Sequence, residues 1–252
     1  MSRGMRAFVC AGLVLTSVLA FARDSVVFFA AHPDDTEGFA ATAFLLKETY
    51  DVYVVDFTGG ERGCGEVKYL SGWTKAKRAE EEKAALAMLG TEPLYVGEVD
   101  GEACATPRAI QTMVRLLREI KPKAVFTHWP VDAHADHRSC AIAAIQAARS
   151  VDPRPELYFF EVLMAQTHNW HPIYSVDVSS TMSLKQDLLR KYACQNENDE
   201  LVQVKTRQAA LRGSQRVPAA AYAETFTTFD GKPLPQGVLA ELKQTAVVRL
   251  QN

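Results

Sequence analysis

Apolar and polar positions along this chain follow two rhythms that replace each other at short intervals. Ser25 to Phe29 is a β-branched and aromatic run of the kind that forms a short buried strand, and Phe39 to Leu46 reads as an apolar helix behind it. Asp51 to Phe57 reads as a second strand. A loop rich in glycine follows, with Gly59, Gly60, Gly63, Gly65 and Gly72. Thr74 to Leu89 predicts a helix with charges on one face, closed by Gly90 at the C′ position. Pro93 to Val96 is a short strand, and Pro107 to Ile120 a helix opened by proline and ended by Lys121-Pro122. Ala124 to Thr127 reads as a buried strand, the stretch from Asp136 through Ala148 as a helix, and Leu157 to Val162 as a strand. Past Gln166 the pattern loosens. Tyr174 to Val178 predicts one more strand, and Ser183 to Ala193 and Val202 to Leu211 predict helices. From Gly213 the chain reads as irregular until a weak helix near Gly237 to Val247.

Strands alternating with helices imply βαβ units and right-handed crossovers. The expected fold is therefore α/β: a Rossmann-like, mostly parallel sheet with helices on both faces and the site at the carboxyl edge of the strands. With 252 residues, 48% of them hydrophobic, the chain has the size of one domain, and it shows no repeat, linker or low-complexity segment.

Met1 to Ala22 has the build of an export signal: Arg3 and Arg6, an apolar run from Ala7 to Leu19, and the small-x-small Ala20-Phe21-Ala22. The run is short for a membrane span and interrupted by Thr16 and Ser17. The other readings of this segment are an uncleaved anchor or a buried first helix. The expectation is a signal peptide over 1–22, a single domain over 23–252, an exported (periplasmic or secreted) protein, and no stable membrane span in the mature chain. Without Arg3 and Arg6, 26 basic side chains face 30 acidic ones, a net charge of −4, and no basic run occurs. That balance argues against nucleic acid as a partner. Cys64, Cys104, Cys140 and Cys194 remain after Cys10 leaves with the signal. They lack the spacing of a thiolate zinc site, and an oxidising compartment would let them form at most one or two bridges of unreadable pairing, with no catalytic thiol expected.

Two clusters carry chemistry. His32-Pro33-Asp34-Asp35-Thr36-Glu37 leaves the first strand, and His128-Trp129-Pro130-Val131-Asp132-Ala133-His134-Ala135-Asp136-His137 leaves another and opens a helix. Ligands in open α/β sheets bind outside the carboxyl ends of the strands, where both clusters fall. Together they offer His32, Asp35 and His137 as a set of two imidazoles and one carboxylate. Three protein ligands and an open position describe a catalytic zinc site; a structural one would be closed by four. Asp34 is then free to take a proton from a metal-activated water. His134 can face an oxygen on which negative charge develops, with Asp136 orienting it. Asp132 and Asp136 are equally ordinary helix caps. His128 reads as a wall or supporting residue. His168 and His171 read as solvated or packing residues. No Gly-x-Gly-x-x-Gly follows the first strand, which disfavours a dinucleotide site.

The same two clusters resemble the signature motifs of the PIG-L/LmbE-like deacetylases. Further likeness lies in Gly60-Glu61-Arg62-Gly63, in Arg78-Ala79-Glu80-Glu81 with Leu89-Gly90, in Val176-Asp177-Val178 with Lys185 and Gln195, and in Tyr222-Ala223-Glu224-Thr225-Phe226. The resemblance implies a zinc-dependent enzyme that removes the acetyl group of an N-acetylglucosamine-type sugar or glycoconjugate. It also implies His32, Asp35 and His137 as ligands, Asp34 as general base, and His134 as oxyanion stabiliser or general acid supported by Asp136. Arg78 would contact the sugar; on spacing alone it is a helix-surface ion pair with a glutamate. The chain departs from the pattern at Cys64 and at Tyr192-Ala193-Cys194-Gln195. Another exported metallohydrolase, acting on non-sugar amides or phosphoesters, and a non-catalytic sugar- or metal-binding protein are the alternative readings.

Overall fold

The computed structural model describes residues 23–63 and 71–248; the expected export signal and Cys64 lie outside them. β1 (Ser25–Ala30) lies at the centre, paired in parallel with β2 (Asp51–Thr58) on one side and with β4 (Ala124–His128) on the other. β3 (Leu94–Glu98) continues beyond β2, and β5 (Glu156–Phe160) beyond β4, both parallel. β7 (Ala223–Thr228) pairs antiparallel with β5. β6 (Tyr174–Asp177) and β8 (Thr245–Val247) complete the eight-stranded order β3-β2-β1-β4-β5-β7-β6-β8.

Strands buried on both faces read as continuous apolar runs. In β1, Val26 and Phe28 point into the core with α1 (Ala40–Leu46), α2 (Ser71–Leu86), α5 (Met182–Leu189) and α6 (Glu200–Gln215). Val27 and Phe29 point into the other core, with α3 (Pro107–Ile120) and α4 (Ala135–Arg149). The helix ends follow local chemistry. Thr106 caps α3 by accepting from the Ala109 N–H at 3.1 Å, with Pro107 next in the chain. Gly90, at φ 80°, closes the turn after α2, where the Thr91 N–H reaches back to the Leu86 carbonyl.

The expected mostly parallel sheet is present, and the carboxyl ends of β1 and β4 carry the two clusters. Three elements differ from expectation. β7 falls in the stretch read as irregular. The predicted terminal helix is instead a single turn, α7 (Val238–Glu241), followed by β8. The helix expected to reach Ala193 stops at Leu189. Cys194 is disulfide-bonded, whereas Cys104 and Cys140 are free thiols.

Candidate active site

β1 ends at Ala30, and the chain turns through a 3-10 helix over Asp35–Gly38. Asp34 enters that turn at φ 111°, a backbone state few side chains adopt. The Asp35 side chain folds back onto the strand end. Its Oδ2 accepts from the Ala31 N–H at 3.0 Å and the His32 N–H at 2.8 Å, and lies 3.2 Å from His128 Nε2. With that oxygen occupied, Oδ1 faces His137 Nε2 at 3.4 Å.

His32 and His137 are each held at the ring nitrogen turned away from Asp35. His137 Nδ1 lies 3.1 Å from Asp132 Oδ1. His32 Nε2 lies 3.1 Å from Asp136 Oδ2 and 3.3 Å from Asp100 Oδ1, while its Nδ1 is 3.4 Å from Asp35. A carboxylate behind an imidazole fixes its tautomer and orientation, which is how metal-ligating histidines are ordinarily supported. Triplets with ligand atoms within 4.8 Å of one another occur at His32, the half-buried His134 and His137, and at the buried Asp35, His128 and His137. A third comprises His32, Asp100 and Asp136. These residues are able to hold a cation, and the basin favours positive charge. Burial works against a charged His137, yet Asp35 and Asp132 hold its pKa up to about 9. Burial likewise opposes a charged His32, and Asp100, Asp136 and Asp35 overcome it, leaving the pKa well above the usual value.

The second cluster opens α4 in a way the sequence did not suggest. Neither Asp132 nor Asp136 is the N-cap. His134 is, accepting the Asp136 N–H on Nδ1 at 3.3 Å. The Asp136 carboxylate turns instead to His32 and to the Gly101 N–H at 2.6 Å. The His134 ring stacks on His137 and meets His32 edge-on, both at 4.7 Å between ring centres. Burial, then the charges on His137 and His32, lower its pKa.

Asp34 stands apart from the other acids. Arg78, on α2 and almost fully buried, donates to Asp34 Oδ1 at 2.9 Å, to the Gly63 carbonyl at 3.1 Å and to the Pro33 carbonyl. Arg78 is therefore no surface ion pair with a helix glutamate. Burial pushes the Asp34 pKa up to about 7, against the pull of Arg78. His128 is fully buried, its Nε2 against Asp35, and burial drops its pKa to about 4. His168 and His171 lie exposed and do not line the cavity over these groups.

A cavity of about 430 Å³ opens over these groups, lined by His32, Asp34, Arg78 and His134 and walled by Leu163 and Leu201. Asp100 and the bracing role of Asp132 escaped the reading of the sequence. The signal for Asp100 was available: Val99-Asp100-Gly101 is a turn directly after β3, at the same carboxyl edge.

A model of the PIG-L family, described as GlcNAc-PI de-N-acetylase, matches residues 27–148. Mycothiol S-conjugate amidase of Streptomyces coelicolor is 28% identical over 156 residues, which cover 50% of this chain and 53% of that protein. The chain thus matches about half the length of that curated relative. N,N'-diacetylchitobiose deacetylase from Pyrococcus horikoshii superposes with a TM-score of 0.73 at 22% identity, over 83% of this chain and 85% of its own. GalB, the 4-carboxy-2-hydroxymuconate hydratase of Pseudomonas putida KT2440, superposes at 0.71 with 21% identity, over 91% and 98%. At these identities the two structures speak for the fold.

Proposed function

With residues 27–148 forming a PIG-L domain, we propose that this chain is an exported, zinc-dependent N-deacetylase of N-acetylglucosamine-type sugars or glycoconjugates. It releases acetate and the free amine, and works as a single domain over 23–252 once residues 1–22 are removed. One observation carries the reading. Asp35 meets His32 Nδ1 through Oδ2 and His137 Nε2 through Oδ1, at 3.4 Å in each case, while its neighbour Asp34 stays off that cluster and faces the same cavity. The amide-hydrolysing activities named for the amidase and the chitobiose deacetylase support it.

Zinc held by His32, Asp35 and His137 would polarise the acetyl carbonyl and lower the pKa of a water at its open position. Asp34 would take a proton from the attacking water as the water oxygen adds to the acetyl carbon. Arg78 holds Oδ1 of Asp34, which leaves Oδ2 to receive the proton. His134 faces the oxygen that takes the developing negative charge. The collected proton passes to the amine nitrogen as the carbon–nitrogen bond breaks. Asp136 supports the site by fixing His32 through its carboxylate and His134 through its backbone N–H. Asp132 and Asp100 brace His137 and His32. Arg78 reaches the cavity from behind Asp34, where it can also meet a sugar hydroxyl.

The deciding experiment is an acetate-release screen on the zinc-loaded mature protein, run against N-acetylated mono- and disaccharides, non-sugar N-acetyl amines and phosphate esters. Acetate from the sugars is the expected result. Phosphate release, acetate from the non-sugar amines alone, or saccharide binding without turnover would each end the reading. N-terminal sequencing of exported protein, with a start near Arg23 expected, tests the signal.

A further inference from the structure

α6 turns a polar stripe inward where a core-facing helix ordinarily presents apolar residues. Lys205, Gln208 and Arg212 follow one another at helical spacing, one turn after Leu201, which walls the cavity. Lys205 is 1% exposed. Its Nζ lies 2.9 Å from Glu37 Oε1 and also donates to the Val162 carbonyl, which Gln208 Nε2 meets at 3.0 Å.

Both partners lead to the metal cluster. Glu37 belongs to the 3-10 turn that begins at Asp35, and its N–H donates to the Asp34 carbonyl at 2.9 Å. Val162 lines the cavity, and its N–H donates to Thr167 Oγ1 at 3.3 Å. The Thr167 hydroxyl donates to Asp132 Oδ2 at 3.0 Å, and the other oxygen of Asp132 lies 3.1 Å from His137 Nδ1 as an ion-pair contact. Lys205 therefore closes a ring that runs through Glu37 to Asp35 on one side, and through Val162, Thr167 and Asp132 to His137 on the other.

We propose that Lys205 is a positioning residue for the metal site, tying the turn that carries Asp34 and Asp35 to the segment that braces His137 and walls the cavity. The proposal rests on the zinc-hydrolase reading above. A second buried pair nearby, Lys185 with Glu224 at 2.7 Å, lies outside the ring and serves as the control.

The test compares zinc affinity, by chelator competition, with melting temperature in Lys205→Met, Lys205→Met/Glu37→Gln and Lys185→Met. Lys205→Met should melt lower and bind zinc about tenfold more weakly, the low end of what removing such a supporting group costs. The double variant removes the stranded carboxylate charge, so its melting temperature should recover. Its zinc affinity, and kcat on any accepted substrate, should stay about tenfold down, because the ring remains open. Lys185→Met should lose stability and keep its zinc. Wild-type zinc affinity in the double variant, equal zinc loss in Lys185→Met, or a wild-type chain that takes no zinc would overturn the proposal. Absence of acetate release would sink the deacetylase reading while the zinc measurements still decide on Lys205.

Discussion

Asp34 and Asp35 are neighbours in the chain with opposite electrostatic fates. Burial works to raise both. For Asp35, His137 and His128 reverse that and hold it well below the usual carboxylate range, so it is a permanent anion suited to a cation. For Asp34, burial prevails over Arg78 and leaves it at about 7, near where a general base works best. Environments that push two acids apart assign them different work. Asp34→Asn should therefore keep zinc and lose about a hundredfold to ten-thousandfold in kcat, read by metal analysis beside acetate release. His137→Ala should lose metal itself. The pH dependence follows from the sign. A base acts deprotonated, so kcat/KM falls as pH drops through the Asp34 pKa. Arg78→Met removes the opposing cation, and the acid limb of the profile should move to higher pH. These residues were legible in the sequence because each cluster is local to one turn. Asp100 and the role of Asp132 were not, because what they do depends on which way a carboxylate turns once three strand ends lie side by side. Asp136 was legible as a supporting residue, but it was assigned to His134 when its carboxylate goes to His32.

At the scale of elements, periodicity located the five parallel strands and β6, and failed at β7 and β8 on the far side of the sheet. Every residue of β7 is buried, yet the strand reads Ala-Glu-Thr-Phe-Thr-Thr. Its polar side chains are satisfied inside. Thr225 donates to Glu161 at 2.8 Å, and Glu224 takes Lys185 at 2.7 Å together with the Ala41 and Thr42 N–H groups. A pattern of apolar positions cannot register a strand whose burial is supported by hydrogen bonds and ion pairs. The polar stripe of α6 was hidden for the same reason. The glycine loop after β2 was visible, and its geometry now explains one of its glycines. Gly60 sits at φ 62°, and a Cβ there would collide with the Arg78 guanidinium. Gly60→Ala should cost about 1–2 kcal/mol for the left-handed backbone alone. For a domain of this size that is a melting-point loss of about 2–8 °C. It should also lower kcat/KM by displacing Arg78 from Asp34. An alanine variant with unchanged melting and turnover would mean that the loop shifts freely to admit it.

For the molecule as a whole, two apolar cores hold the sheet rigid from both faces, so charges placed beneath its carboxyl edge have no water to turn to. Asp56 on β2 and Glu82 on α2 are both fully buried there. Burial and then its neighbour Glu82 raise Asp56 well above its usual value. Burial likewise lifts Glu82 from 4.5 to about 8, against the pull of the Tyr192 hydroxyl beside it. That hydroxyl also meets Thr36 Oγ1 at 2.8 Å, which connects Glu82 to the turn of the first motif. The consequence is a pH dependence of the entire fold. Between about 4.5 and 8 the folded chain keeps a proton on Glu82 that the unfolded chain releases. Folding then takes up a proton, so stability falls as pH rises through that window, with a slope for this one group of at most about 1.4 kcal/mol per pH unit. Glu82→Gln keeps the shape and removes the titration. Melting curves of the zinc-loaded wild type and Glu82→Gln, taken from pH 5 to pH 8.5, should therefore lie close together at the acid end. They should diverge toward the alkaline end, with the variant the more stable. Parallel curves would mean that Glu82 is already ionised in the folded protein, and that the layer beneath the turn of the first motif is better solvated than its burial implies.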